Sequence, residues 1–198
     1  MPFLGPNCYG FINYLDRISV WSDQVAGKPT KSGVAIICQS GTIGNTISFN
    51  NRSLPIGYII SLGNQSQLTI EDAINYALDD NRITAVGIYA ESFTNAEKLI
   101  KVFKKSKSKK IPIAIVKVGR SKAASKTILS HTGSLSGKED LYDALFQRMG
   151  VARCNTLAEL CEILKLFHTQ GILKNDKISI MGPSGGDMAM IGDVAESQ

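Results

Sequence analysis

No stretch of this 198-residue chain approaches the roughly 18 consecutive apolar residues that a membrane span requires. Met1–Val20 has no basic segment followed by an apolar core, so it does not read as a secretory signal. Both absences point to a cytoplasmic protein with no membrane partner. Cysteine is sparse: Cys8, Cys38, Cys154 and Cys161 form no C-x-x-C pair, and three of them sit in apolar stretches. That is the pattern of free thiols in a reducing compartment. Eighteen glycines and six prolines occur without a triplet period, which excludes collagen-like and low-complexity chains. What remains is ordinary for a globular domain. Hydrophobic residues are 43% and charged residues 20%, enough apolar surface to build a core without disulfide or metal staples.

The formal net charge of +5 invites a nucleic-acid reading, but Lys101–Lys110 alone holds six lysines. Without them the chain is close to neutral. They close a helical pattern, where cations favour the carboxyl-terminal dipole and solvent. No series of aromatics alternates with them to stack bases. Nucleic acid is therefore not an expected partner, and Lys104, Lys105, Lys107 and Lys109 are expected to be exposed and dispensable.

Met1–Thr30 carries three of the prolines and the only tryptophan, Trp21, with no clean period; it reads as an irregular arm. From Gly33 onward, short β-branched runs alternate with helical patterns. Gly33–Cys38 is a continuous apolar run, as expected of a strand buried on both faces. Further strands are expected at Gly57–Ser61, Thr84–Tyr89, Ile113–Val118 and Val151–Cys154. Helices are expected at Thr42–Asn50, Ile70–Leu78, Ala96–Lys105 and Lys138–Met149, with a last one carrying Leu157, Leu160, Ile163, Leu164 and Phe167. Thr69-x-x-Asp72, Ser136-x-x-Glu139 and Thr156-x-x-Glu159 resemble capping boxes, and Gly150 and Gly171 are helix stops. Such alternation predicts a doubly wound parallel α/β sheet. Lys177–Met181 followed by Gly182–Gly186 reads as the opening strand and turn of a further unit.

Ligands of doubly wound sheets bind at the carboxyl ends of the strands. After the first strand comes Ser40-Gly41-Thr42-Ile43-Gly44, opening a helix. It is either a plain tight turn or a small-residue cradle whose amides approach an anion. It matches neither a P-loop nor a G-x-G-x-x-G fingerprint. Glu91 follows the third strand, as a helix-start acid or a catalytic carboxylate. Of the two histidines, His168 ends an amphipathic helix and reads as solvated or dipole-capping. His131 lies in Ser130-His131-Thr132-Gly133-Ser134, after the fourth strand. Together His131, Glu91 and the Ser40–Gly44 turn supply a nucleophile, a carboxylate to fix its tautomer and an anion cradle.

GPNCYGFIN (Gly5–Asn13), GVAIICQSGTIGN (Gly33–Asn45), SLGNQ (Ser61–Gln65), AVGIYAES (Ala85–Ser92) and SHTGSLSG (Ser130–Gly137) occur in one order. In that combination the chain resembles the ADP-forming acyl-CoA (acetate–CoA) synthetases and the related succinyl-CoA synthetase α subunit. The resemblance implies a flavodoxin-like domain over residues 31–171. It implies that residues 1–30 are the tail of a CoA-binding domain, and that residues 172–198 are a linker and the start of a following α/β domain. It also implies an acid–thiol ligase that interconverts acyl-CoA, phosphate and ADP with acid, CoA and ATP through a phosphohistidine. His131 would then be the phosphorylated residue and Glu91 the carboxylate that holds it. Ser40, Gly41, Thr42, Ile43 and Gly44 would receive the phosphate. Asn45 would lie near the acyl group, and Asn7 and Cys8 near the CoA thiol. CoA and ADP or ATP are the implied substrates, with Mg in a nucleotide-binding ATP-grasp domain. That domain and the CoA-binding loop are not in this sequence, so this piece alone is expected to be inactive. The competing readings are a synthetase-like regulatory or acyltransferase-associated module, and a flavodoxin-like binding module without covalent chemistry. Acyl group and oligomeric state stay open.

Overall fold

The computed structural model describes residues 2–121, 139–173, 175, 177 and 179–196. The central strand is β3 (Gly33–Cys38), every residue of which is buried. Its all-apolar sequence needs cover on both faces, and it pairs in parallel with β4 (Ile56–Ser61) on one side and β5 (Ile83–Ala90) on the other. Strands β6 (Ile113–Lys117) and β7 (Ala152–Cys154) continue the parallel ladder beyond β5. The parallel order β4-β3-β5-β6-β7 is the flavodoxin-like 2-1-3-4-5 winding, with its switch point between β3 and β5.

Side-chain alternation divides the core. Ala35, Ile37, Val86 and Ile88 face α2 (Ile70–Ala77), α3 (Ala96–Lys109) and α4 (Glu139–Met149), meeting Ile74, Phe103 and Phe146. Val34, Ile36 and Cys38 face α1 (Gly41–Ser48) and α5 (Leu157–Gln170), meeting Ile47, Leu160 and Leu164. Each such fully buried large side chain contributes roughly 1.5–3 kcal/mol.

The amino-terminal segment is not an irregular arm. Strands β1 (Gly10–Asn13) and β2 (Ile18–Trp21) form a hairpin, and β1 pairs antiparallel with β4. The sheet is thus seven-stranded and mixed rather than purely parallel. The hairpin lacks a clean period because β2 is an edge strand with Ile18 and Val20 exposed, so only one face of β1 is under selection for burial. Arg82 fastens the hairpin turn to the start of β5, bonding Asp16 at 2.7 Å and Asp80 at 2.8 Å. That guanidinium holds the Asp80 carboxyl well below the usual carboxylate range.

Capping follows the sequence in part. Thr69 and Asp72 form a complete box. Thr156 accepts from Glu159 N, but the Glu159 carboxylate takes the Asn155 amide instead. Gly150 and Gly171 stop their helices at positive φ. The strand expected at Lys177–Met181 is not formed among its described residues. A helix, α6 (Gly185–Glu196), does form there, but it buries none of its residues.

Helix α3 runs through the lysine-rich stretch to Lys109. Lys104 and Lys107 are exposed. Lys105 is half-buried, and with Lys109 it reaches Asp79 at 2.8 and 3.0 Å; Lys109 also donates to Leu78 O at 2.8 Å. Two of the four lysines therefore tether α3 to the end of α2. Changing Lys104 and Lys107 to Gln leaves the thermal midpoint unmoved. Changing Lys105 and Lys109 lowers it by a few degrees at most, because exposed ion pairs contribute little. Equal midpoints for the two double variants in a melting experiment would refute the tether.

Candidate functional site

At the carboxyl edge of β3, Ser40 caps α1. Its Oγ accepts from Ile43 N at 3.3 Å and its carbonyl from Gly44 N at 3.2 Å. Those two amides are therefore already engaged, and the expected cradle shrinks to its first residues. Gly44 has a packing role: a Cβ there would lie 2.8 Å from Cys38 Sγ and 3.2 Å from the Trp21 ring. Among the described residues nothing accepts from Gly41 N or Thr42 N. These are the open donors that a helix start offers to an anion, with the dipole behind them.

Glu91 follows the carboxyl end of β5, and its backbone is clamped by Gln39. Gln39 Oε1 accepts from Glu91 N at 2.5 Å and from Ser92 N at 2.9 Å. The clamp joins the ends of β3 and β5 across the switch point. Glu91 is only 8% exposed, yet among the described residues no donor meets its Oε2. A buried carboxylate oxygen without a donor is unfavourable, so this arrangement calls for a cationic or N–H partner.

The amino-terminal segment closes the third side. Pro6 O accepts from Asn64 N at 2.9 Å, Gly5 O from Ser66 N at 3.1 Å, and Tyr9 N donates to Ser61 Oγ at 3.2 Å. Two glycines make that approach possible. A Cβ at Gly63 (φ +54) would lie 2.2 Å from the carbonyl oxygens of Pro6 and Asn7. One at Gly41 would lie 2.1 Å from the Tyr9 ring. The result is a polar cleft of about 140 Å³ that brings Ser40, Gly41, Thr42 and Glu91 together with Asn7 and Asn64. A larger apolar groove of about 490 Å³ lies between β1, β4 and α2. It has no comparable set of open amides and carboxylate, so volume does not choose the site.

The other expected site residues divide. His131 lies outside the described residues. Cys8 is half-buried beside Asn7 but does not line the cleft. Asn45 does not reach the cleft either: its Oδ1 accepts from Trp21 Nε1 and its Nδ2 donates to Asp23, both at 3.2 Å. Its side chain ties α1 to the hairpin. His168 is half-buried rather than solvated, with Nδ1 2.7 Å from Thr84 Oγ1. Thr84 is near the start of β5, so His168 sits at the opposite edge from Glu91. Burial pushes the Cys38 and Cys154 thiols up to about 12, which disqualifies both as nucleophiles. Among the described residues no cluster of three or more His, Cys, Asp or Glu gathers to hold a metal. Gln39, Asn64 and Tyr9 were not legible as site residues. The one signal for Gln39 was a polar side chain directly after a wholly apolar strand.

A switch-point cleft on a 2-1-3-4-5 sheet agrees with a family model described as the succinyl-CoA ligase-like flavodoxin domain, which matches residues 31–167. The chain belongs to that family. This flavodoxin domain is 36% identical over 192 residues to an ADP-forming acetate–CoA ligase of Methanocaldococcus jannaschii, covering 96% of the chain and 27% of that protein. It is 34% identical over 195 residues to the alpha subunit of ADP-forming acetate–CoA ligase II of Pyrococcus furiosus, covering 98% of the chain and 42% of the subunit. Less than half of each relative's length is therefore represented. Acetyl-coenzyme A synthetase 1 of Ca. Korarchaeum cryptofilum, solved with phosphate and ADP, shares the fold at a TM-score of 0.82 and 22% identity, over 98% of this chain and 42% of that one.

Proposed function

We propose that this chain is the phosphoryl-relay part of an NDP-forming acyl-CoA synthetase, with residues 31–171 as the relay domain. The observation that carries the reading is the Glu91 carboxylate, buried and without a donor among the described residues, across the same cleft from the open amides of Gly41 and Thr42. One side of that cleft suits an anion, and the other suits an imidazole N–H.

In this mechanism acyl-CoA and phosphate first give an acyl phosphate and free CoA. A neutral His131 attacks the phosphorus, the P–O bond to the acyl group breaks, and the carboxylic acid leaves as its anion. Glu91 accepts the other ring N–H, which orients the imidazole and offsets the positive charge that develops on it. Gly41 N and Thr42 N, with Ser40 at the cap, receive the phosphoryl oxygens without having to reorganise. The phosphoryl group then passes from His131 to ADP. Asn7 and Cys8 would stand toward the CoA thiol. The contact assigned to Asn45 drops out of this reading, since both its polar atoms are taken by Trp21 and Asp23.

CoA and nucleotide, with the Mg that accompanies it, require the CoA-binding and ATP-grasp parts of the same enzyme, of which residues 1–30 and 172–198 would be the adjoining pieces. The test uses that complete enzyme with labelled phosphate and acyl-CoA, or with labelled ATP. An acid-labile, base-stable phosphoryl group on His131 is the expected product. Its absence under turnover would reject the relay and favour a non-catalytic module.

A further inference from the structure

Lys117 ends β6, a strand otherwise made of Ile, Ala and Val, and its side chain has no solvent exposure. A cation in that position is costly unless it is paired and hydrogen-bonded. Its Nζ donates to Glu139 Oε1 at 3.0 Å and to Val118 O at 2.7 Å, and lies 5.1 Å from the centroid of the Tyr142 ring. Glu139 opens α4, and its other oxygen accepts from Arg153 Nη2 at 2.6 Å. Arg153, from β7, also pairs with Asp143 one turn further along α4. A buried cluster of this kind adds little stability over well-packed apolar residues of the same volume. Its placement is what distinguishes it.

Two contacts fix that placement. Lys117 lies opposite Ala90 in the β5–β6 ladder, and Val118 N donates to Ala90 O at 3.0 Å. Ala90 directly precedes Glu91. The ion pair therefore joins β6 to α4 at the sheet edge where Glu91 stands. Positions 118–138, which include His131, connect these two elements in the chain.

We propose that Lys117 and Glu139 are positioning residues for phosphoryl acceptance at His131, their ion pair fixing where the chain leaves β6 and re-enters α4 relative to Glu91. The inference rests on the relay reading. Holding both chain ends at one point lowers the entropy of bringing His131 to the cleft, and small misplacement of a reacting group is expensive in rate.

The test compares His131 labelling in the complete enzyme with that of Lys117→Met and Glu139→Gln. Methionine keeps the length of the lysine side chain and leaves Glu139 paired with Arg153. Each variant should fold, with an unchanged KM for phosphate and a single-turnover labelling rate at least about tenfold lower. The double variant should be no slower than the slower single one, since both break the same link. A wild-type rate in folded Lys117→Met overturns the proposal, as does activity that falls only in step with the folded fraction in both single variants. Absence of label in the wild-type enzyme would instead defeat the relay itself.

Discussion

His131→Asn removes all histidine-linked label from the complete enzyme, and Glu91→Gln retains label but forms it 10–100 times more slowly, by about one to two decades. The difference in kind follows from the roles. Asparagine offers no nucleophilic ring nitrogen, so no N–P bond forms. The amide of Gln still accepts the ring N–H but cannot offset the charge that grows on the imidazole. Losing a charge-assisted hydrogen bond costs about 1.5–3 kcal/mol, which sets the rate ratio if it is fully expressed in the transition state. Rapid-quench labelling reads both numbers. Label that persists in His131→Asn would remove the histidine from the reaction, and a wild-type rate in Glu91→Gln would remove the carboxylate.

Gly63→Ala destabilises the domain by about 2 kcal/mol or more. Alanine at φ +54 is strained, and its Cβ would stand 2.2 Å from the carbonyls of Pro6 and Asn7. To relieve the clash the amino-terminal segment must lift. That movement breaks the bond from Asn64 N to Pro6 O and withdraws Asn7 from the cleft. Urea unfolding should therefore show a lower midpoint, and labelling of the complete enzyme should need more phosphate. An unchanged midpoint would mean that residues 5–9 are not fastened over the β4 loop.

Lys117 marks where sequence reading stops. The strand Ile113–Val118 was recognisable from its β-branched run, and that same run hid the lysine at its end. A cation at the last strand position normally reaches solvent, and only the approach of α4 and β7 shows that Glu139 meets it indoors. Ser136-x-x-Glu139 looked like a capping box, but both Glu139 oxygens are taken by Lys117 and Arg153. Ile43 and Gly44 looked available to an anion because small residues at a helix start usually are. The Ser40 cap consumes their amides, a choice of rotamer that spacing does not encode.

By itself the sequence determined the winding. Continuous apolar strands demand helices on both faces, helical periods supply them, and right-handed crossovers leave few orders for five parallel strands. It also determined that Glu91 and the Ser40–Thr42 turn lie on one edge, because successive parallel strands carry their carboxyl ends to the same side. Only the tertiary structure decided which polar atoms remain free there. The hairpin of residues 10–21 adds to β4 through backbone bonds that depend little on side-chain identity, so an aperiodic segment gave no sign of it. Asn45 turned to Trp21 and Asp23, His168 to Thr84, and Gln39 to the backbone of Glu91. Each of those partners lies 22 or more positions away in the chain. A hydrogen bond over such a separation is set by how the layers pack, and local pattern carries no record of it.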